Sequence, residues 1–149
     1  MEDIFEGYKL IVDTKVDWGD MDAFQHVNNC VYFKYFENAR VVYGERTRIV
    51  NRMYTEKLGP ILSWIDCKFI RPLTYPDTAR VGIRAASVEG PELRMDYRLV
   101  SERQGIVAAA GSSLGVFYDY GNRKKLDIPQ DVIEAMEELE GRALPRSHS

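Results

Sequence analysis

The sequence of 149 residues contains little cysteine, little histidine and no excess of basic side chains. Its two cysteines, Cys30 and Cys67, form no CxxC pair, and no group of cysteines and histidines has metal-ligand spacing. These shortages exclude a disulfide framework and predict no metal site and no bound cofactor. The net charge of −3 gives no reason to expect nucleic acid as a partner.

Long hydrophobic runs are also missing. No apolar segment approaches the roughly 18 residues that a membrane-spanning helix needs, so we expect no membrane insertion. The first seven residues carry Glu2, Asp3 and Glu6, which is the wrong charge for a secretory signal peptide. We therefore expect a cytoplasmic protein with one domain over residues 1–149 and a frayed tail after about residue 141.

The spacing of apolar residues predicts one long helix. Between Tyr32 and Tyr43 such residues recur every three or four positions, which is the period of a helix with one buried stripe. Asn28 is a suitable N-cap for this helix. A shorter closing helix is expected near Pro129, where apolar residues recur among glutamates.

Five segments have the alternation and the β-branched or aromatic content of strands. They are residues 8–16, 61–69, 78–88, 93–101 and 106–118. Turn residues at 89–92 and 102–105 join the last three strands as an antiparallel meander. The predicted fold class is therefore α+β, with one long helix on a five-stranded antiparallel sheet.

The segment between the first strand and the long helix carries the chemistry. Asp22 comes shortly before the helix amino end, where unpaired N–H groups and the helix dipole can hold an oxygen that becomes negative. A carboxylate beside such an oxyanion site favours acyl transfer. Trp18, Asp20 and Asp22, followed by the run from His26 to Asn29, resemble the WxDxDxxxHVNN-like stretch of the 4-hydroxybenzoyl-CoA thioesterase family of hotdog-fold proteins.

This resemblance implies a hotdog fold, in which the sheet wraps a long central helix, and hydrolysis of an acyl-CoA to a free acid and coenzyme A. It makes Asp22 the catalytic carboxylate, either as nucleophile on the thioester carbon or as general base for water. It makes the backbone amide of Asn29, alone or with that of Asn28, the oxyanion donor. For Asp20, a hydrogen bond to the loop backbone is the favoured interpretation.

His26 lies between Asp22 and Cys30, but we do not favour a Cys-His-Asp triad. Cys30 falls in the first turn of an aromatic helix, and free cysteines are commonly buried. His26 is expected to orient the loop or line the pocket, with acid-base catalysis as the alternative. Plant acyl-ACP thioesterases have a similar stretch with a catalytic Asn where this chain has Phe24, so their three-residue assignment does not transfer.

Candidate substrate contacts are residues close to the motif and basic residues suited to the phosphates of coenzyme A. They are Val27, Asn28, Tyr32, Lys68 and Arg71. Glu37 on the long helix is a reserve catalytic carboxylate, since another hotdog subgroup uses a helical Glu. Its spacing from Arg40 favours a surface ion pair instead.

The resemblance also implies partners, namely an acyl-CoA substrate and further copies of the chain. Hotdog proteins usually join sheets across a twofold axis, so a homodimer or a dimer-of-dimers tetramer is expected. The small side chains of 106–111 fit close approach by a partner or simple packing within one subunit. Two other functions stay open: hydrolysis of an acyl-ACP, and binding of acyl thioesters without turnover.

Overall fold

One antiparallel sheet dominates the computed structural model, which describes residues 3–146. Its strands are β1 Leu10–Lys15, β2 Leu58–Phe69, β3 Thr78–Glu89, β4 Glu92–Ser101, β5 Ile106–Asp119 and β6 Lys124–Lys125. The long strands lie in the order β1-β3-β4-β5-β2, and the two-residue β6 pairs with the end of β5. The five long strands confirm the predicted sheet, and β6 is an addition to it.

Three helices accompany the sheet: α1 Asn29–Arg46, α2 Ile49–Glu56 and α3 Gln130–Glu140. The long helix α1 contacts β1, β2 and β3. Its buried stripe comprises Tyr32, Tyr35, Phe36, Ala39, Tyr43 and Gly44. A long helix packed on a five-stranded antiparallel sheet confirms the α+β class and the hotdog fold. Within residues 3–146, no helix is both long and apolar enough to cross a membrane.

Small residues on β5 let the helix approach the sheet. The ring of Phe36 stacks on that of Tyr97 with centroids 4.6 Å apart. A Cβ atom on Gly111 would lie 2.8 Å from the Phe36 ring and 2.4 Å from the Asp66 carbonyl oxygen, so a larger residue does not fit there. Packing within one subunit therefore accounts for Gly111, which is the second of the two interpretations given for this stretch.

The chain beyond α3 differs from the prediction. The helix ends at Glu140 and is capped by Gly141, which has a φ of +67°, and the following residues pack back on β3. Leu144 is buried, and the Val88 amide donates to the Pro145 carbonyl at 3.0 Å. The expected fraying after residue 141 is therefore wrong as far as residue 146, and residues 147–149 lie outside the described part.

A buried carboxylate holds α3 in place. Glu140 accepts a hydrogen bond from the Tyr43 hydroxyl of α1, and another from the Ala85 amide of β3 at 2.8 Å. Arg142 pairs with the same carboxylate at 3.0 Å. Three elements thus meet at Glu140, whose charge is compensated as a buried carboxylate requires.

The strand β2 forms one edge of the sheet, with β5 as its only neighbour among the described strands. Several of its large apolar side chains are more than two-fifths exposed: Ile61, Leu62, Trp64 and Phe69. An edge strand twelve residues long with such side chains is a template for pairing with another chain.

Candidate active site

A short hairpin-like loop presents the motif residues. Met21 and Val27 form an isolated antiparallel bridge at its base. The Asp22 amide donates to the His26 carbonyl at 2.9 Å, and the Gln25 amide donates to the Asp22 carbonyl at 2.9 Å. Gln25 has a φ of +62°, a backbone conformation that turns of this kind require. The loop is therefore ordered by its own backbone before any ligand binds.

Asp20 fixes this loop to the rest of the fold. Its Oδ2 atom accepts from the Asp17 amide at 2.9 Å and from the Tyr35 hydroxyl at 3.0 Å. Its carbonyl oxygen accepts from the Asn28 amide at 2.9 Å. The prediction that Asp20 bonds the loop backbone is confirmed. Asp20 does not line the cavity described next.

Asp22 is held at one oxygen and open at the other. Its Oδ1 atom accepts from the Phe24 amide at 2.9 Å, which closes an Asx turn. Within residues 3–146 no hydrogen bond engages its Oδ2 atom. The side chain is exposed and lines a cavity of about 470 Å³, which we call the loop cavity. This carboxylate is free to act on a group that enters the cavity.

The amino end of α1 leaves one amide available. The Cys30 amide donates to Asn28 Oδ1, the Val31 amide to the Asn28 carbonyl, and the Asn28 amide to the Asp20 carbonyl, each at 2.9 Å. Among the described residues nothing accepts from the Asn29 amide. The predicted cap at Asn28 is confirmed. The alternative in which the Asn28 amide shares the oxyanion role is wrong, because that N–H is already bonded.

The loop cavity brings most of the candidate residues together. Its lining comprises Asp22, Phe24, His26, Val27, Asn29, Tyr32, Phe69, Ile70, Arg71 and Pro72. Of the predicted substrate contacts, Val27, Tyr32 and Arg71 are present. Asn28 is not part of the lining, because its side chain caps the helix.

Lys68 also lies away from the loop cavity. It pairs with Ala110 on β5, one residue before Gly111, whose Cβ position faces the Phe36 ring of α1. Because side chains alternate between the faces of a sheet, Ala110 and Lys68 point to the side away from α1.

Tyr32 forms the wall between the helix and the segment after β2. Its hydroxyl accepts from the Leu73 amide at 3.1 Å and donates to the Arg71 carbonyl at 3.4 Å. Burial raises the pKa of this phenol, so it stays protonated. Because its hydroxyl is engaged on both sides, Tyr32 offers the cavity a ring and no free polar group.

The sequence did not identify four of the residues that line the loop cavity. They are Phe24, Phe69, Ile70 and Pro72. The last three end β2 or follow it closely. Backbone hydrogen bonds connect this segment to β5, since the Ile70 and Arg71 amides both donate to the Ala108 carbonyl. Only the pairing of β2 with β5 reveals that this segment lies beside the motif loop. Phe24 stands inside the motif and is 83% exposed, an unusual exposure for an aromatic residue.

Neither cysteine belongs to the site. Cys30 is exposed, so the reason given above for dismissing it, burial, is wrong. It is nevertheless absent from the lining of the loop cavity. Burial raises the pKa of the Cys67 thiol to about 11, which keeps it in the unreactive neutral form. Within residues 3–146, no group of three or more His, Cys, Asp or Glu residues could hold a metal ion.

Glu37 faces a second cavity. This cavity, of about 440 Å³, lies between the carboxyl half of α1, the helix α2 and the sheet, and we call it the apolar chamber. Arg40 also lines it and donates to the Tyr97 hydroxyl at 3.3 Å. No ion pair joins Glu37 to Arg40 in the described chain, so the predicted surface pair is wrong. The helix packs Arg40 toward the sheet instead.

Comparison with solved structures finds proteins of the same fold. A crystal structure of a thioesterase from Thermus thermophilus, complexed with coenzyme A and Zn, superposes with a TM-score of 0.82 at 28% identity, covering 93% of this chain and 99% of that one. The PA5185 protein of Pseudomonas aeruginosa PAO1 shares the fold, with a TM-score of 0.81 at 24% identity over 95% and 96% of the two chains.

Sequence comparison gives the same family. The long-chain acyl-CoA thioesterase FadM of Escherichia coli K12 is 23% identical over 125 residues, which are 84% of this chain and 95% of FadM. The model of the thioesterase-like superfamily matches residues 16–136, a range that runs from the end of β1 into α3 and includes the whole motif. The chain therefore belongs to the thioesterase-like superfamily, and its enzyme class is that of the thioester hydrolases.

Proposed function

We propose that the protein hydrolyses an acyl-CoA thioester, with Asp22 as catalytic carboxylate and the Asn29 amide as oxyanion donor. One observation carries this proposal: Asp22 and Asn29 line the same cavity. One carboxylate oxygen of Asp22 has no hydrogen-bond partner among the described residues, and the Asn29 amide is the one amide of residues 28–31 without an acceptor there. The superfamily match, the resemblance to FadM and the structure of a related thioesterase with coenzyme A support the substrate class.

The reaction follows from these two groups. The thioester carbonyl oxygen points at the Asn29 N–H, where the helix dipole and the unpaired donor stabilise the negative charge of the tetrahedral intermediate. Asp22 either takes a proton from the attacking water or attacks the carbonyl carbon itself. Collapse of the intermediate releases the thiolate of coenzyme A, which takes up a proton, and the acid product follows directly or by hydrolysis of the acyl-Asp22.

Other lining residues position the substrate. His26 holds the loop through its backbone carbonyl, and its ring lines the loop cavity next to the reacting centre. Arg71 is the one lysine or arginine of the lining, so it is the proposed contact for a phosphate of coenzyme A. Phe24, exposed beside Asp22, gives the pantetheine arm an apolar surface.

The proposal includes a dimer in which two copies of β2 pair edge to edge. Such pairing covers the apolar side chains on this strand and satisfies its unpaired backbone groups. A twofold axis makes the pairing antiparallel and identical from both sides. The resulting sheet runs continuously through both subunits.

Two other functions are tested against this one. An acyl-ACP thioesterase would need a basic surface for its acidic carrier, and the net charge of −3 does not favour one. A binding protein without turnover would have no use for the open carboxylate of Asp22. Neither alternative gains support from the arrangement at the helix amino end.

The test is release of thiol from matched substrates. Purified protein is incubated with acyl-CoAs of several lengths, with one aromatic acyl-CoA and with an acyl-ACP of equal chain length, and free thiol is titrated. We expect release from acyl-CoA, with a clearly lower kcat/KM for the carrier protein. Saturable binding without thiol release from any substrate would replace the enzyme with a binding protein.

A further inference from the structure

One short segment forms a wall of the loop cavity and carries the proposed phosphate contact. It comprises residues 69–73, of which the first four line the cavity, and we call it the arginine wall. Arg71 is exposed, and its guanidinium has no hydrogen bond or ion pair within residues 3–146. This side chain can therefore meet an anion, and the place at which it does so depends on how its backbone is held.

The backbone of Arg71 is held from two sides. Its N–H donates to the Ala108 carbonyl of β5 at 3.0 Å, and its carbonyl accepts from the Tyr32 hydroxyl of α1 at 3.4 Å. Two residues further on, the Leu73 amide donates to the same hydroxyl at 3.1 Å. One phenol oxygen thus bonds both ends of a three-residue stretch. In the described chain, no other hydrogen bond joins α1 to the arginine wall.

The position of Tyr32 on α1 connects this wall to the proposed reacting centre. Tyr32 lies three residues after Asn29, the proposed oxyanion donor, which is roughly 4.5 Å along the helix axis. From the motif loop, the Val27 amide donates to the Leu73 carbonyl at 2.8 Å. The helix amino end, the motif loop and the arginine wall therefore form one hydrogen-bonded unit.

Burial gives the Tyr32 hydroxyl its importance in this unit. Tyr32 is 2% exposed and Leu73 is 0% exposed, so water does not replace the hydroxyl as acceptor for the Leu73 amide. The ring of Tyr32 packs edge-on against that of Phe69, with centroids 5.0 Å apart, and this contact needs no hydroxyl. Substitution by phenylalanine therefore removes the hydrogen bonds and retains the packing.

We infer that Tyr32 is a positioning residue for coenzyme A: its hydroxyl fixes the arginine wall so that Arg71 meets a phosphate while the thioester carbonyl lies at the Asn29 amide. This inference rests on the proposed function and adds to it a residue that acts on the phosphate through Arg71. Gln104 supports the same wall from outside, because its side-chain amide donates to the Pro72 carbonyl at 3.1 Å.

The test compares two ligands that share a thiol arm. Coenzyme A carries the phosphates that Arg71 is proposed to meet, whereas pantetheine has the same arm and no phosphate. Calorimetry gives the Kd of each. In Arg71→Ala, the Kd of coenzyme A should rise about tenfold or more, since a hydrogen bond to a charged group is lost. In Tyr32→Phe it should rise about threefold to tenfold, the factor that one neutral hydrogen bond implies. The Kd of pantetheine should stay constant in both.

A purely structural role of Tyr32 predicts a different result. A looser fold weakens both ligands alike, so the ratio of the two dissociation constants stays as it is. Tyr43→Phe is the matched control, since it removes a buried hydroxyl from the same helix beside Glu140, outside the lining of the loop cavity. Its ratio should equal that of the unaltered protein. The same unshifted ratio in Tyr32→Phe would overturn the inference.

A double-mutant cycle tests whether Tyr32 acts through Arg71. In the Arg71→Ala background, Tyr32→Phe should cause no further rise in the Kd of coenzyme A, because the contact that Tyr32 positions is already gone. Two rises that multiply in the double variant would show that the residues act independently, which contradicts a positioning role.

Gln104→Ala keeps the test decisive if Tyr32→Phe does not fold. Gln104 is exposed, so its truncation leaves no buried group unpaired. We expect the Kd of coenzyme A to rise about twofold, with that of pantetheine unchanged, because the arginine wall loses its outer support. In the absence of folded Tyr32→Phe, an unshifted ratio in Gln104→Ala would overturn the inference.

The binding readout also separates this inference from the proposed hydrolysis. A ratio shifted by Tyr32→Phe in a protein that releases no thiol from any acyl-CoA supports the role of Tyr32 and contradicts the hydrolysis. Thiol release from acyl-CoA with an unshifted ratio contradicts the role of Tyr32 and leaves the hydrolysis standing.

Discussion

Asp20 and Asp22 stand two positions apart, but their surroundings give them different tasks. Asp20 accepts from the Asp17 amide and the Tyr35 hydroxyl through one oxygen and faces away from the loop cavity. Asp22 has one oxygen in an Asx turn and the other open toward the cavity. The sequence pattern identified both carboxylates. Their different surroundings depend on the hydroxyl of Tyr35 on α1, which bonds Asp20 and could not be predicted from the pattern.

The bond between Tyr35 and Asp20 is expected to stabilise the loop. In Tyr35→Phe the Asp20 carboxylate loses a buried donor, so the free energy of unfolding should fall by about 1 to 3 kcal/mol. Urea denaturation measures this change. Tyr54→Phe is the matched control, because Tyr54 is 84% exposed, and it should alter stability by less than about 0.5 kcal/mol. Equal effects of the two substitutions would show that the bond contributes nothing.

Two buried tyrosines make stability depend on alkaline pH. Burial and a neighbouring carboxylate raise the pKa of Tyr35, beside Asp20, and of Tyr43, beside Glu140, above the ordinary value of 10.0. Above that pH the unfolded chain loses these protons and the native chain keeps them, so stability is full below about pH 10 and decreases as the pH rises.

The size of this decrease can be measured by denaturant unfolding between pH 9 and 11. Each such tyrosine contributes a slope of up to about 1.4 kcal/mol per pH unit. Tyr43→Phe removes one titrating group, so its stability should decrease less steeply with pH than that of the unaltered protein. Parallel curves for the two proteins would rule out Tyr43 as a source of the effect.

At the scale of elements, the amino end of α1 contains both the helix cap and the proposed oxyanion donor. The side chain of Asn28 accepts from the Cys30 amide, and the Asn28 amide donates to the Asp20 carbonyl. Among residues 3–146 this leaves the Asn29 N–H without an acceptor. In the proposed site, the same cap that begins the helix therefore determines which amide faces the substrate.

Removing this cap should reduce both stability and activity. In Asn28→Ala the Cys30 amide loses its acceptor, which lowers the free energy of unfolding by about 0.5 to 2 kcal/mol. The Asn29 amide loses its fixed direction, so kcat should fall roughly tenfold or more, within the limit set by complete loss of an oxyanion donor. Asn28→Ser retains a capping oxygen and should recover most of both quantities. A full loss of kcat in Asn28→Ser would instead assign the Asn28 side chain a direct role.

The strands could be predicted from the sequence to within a few residues. One face of the sheet is buried, so apolar and polar residues alternate along each strand. The helix α2 was not predicted, since Ile49 is its only buried residue and its ends are set by Arg48 and Lys57 at positive φ. Its apolar residues Ile49, Val50, Met53 and Tyr54 do recur at helical spacing, but the helix has only eight residues and no capping side chain marks its start. The tail beyond Gly141 was misjudged for a related reason, because Pro145 and Arg146 are anchored by backbone contacts with Val88.

At the scale of the whole molecule, the wall of the loop cavity depends on contacts distant in sequence. Tyr32 was predicted as a lining residue from its closeness to the motif, and Arg71 from its charge. Phe69, Ile70 and Pro72 carry no such signal, and they reach the motif because β2 pairs with β5. Pairing between distant strands is also why Lys68, three residues from Arg71, faces the other side of the sheet.

The proposed dimer is testable at the free edge of β2. Ser63 lies in a bulge and has no register partner on β5, so Ser63→Pro should leave the subunit folded while removing a donor from the edge. We expect the dimer dissociation constant to rise at least tenfold by analytical ultracentrifugation, with activity lost in proportion. Ser63→Thr keeps the donor and should remain dimeric. A stable dimer in Ser63→Pro would place the interface elsewhere.

The central claim is that Asp22 performs thioester hydrolysis, and the most direct measurement compares thiol release from palmitoyl-CoA by the unaltered protein, Asp22→Asn and Asp20→Asn at matched folding and oligomeric state. We predict that Asp22→Asn lowers kcat by about 10²- to 10⁴-fold while still binding palmitoyl-CoA, and that Asp20→Asn loses mainly stability. Equal kcat for the unaltered protein and Asp22→Asn would contradict the account.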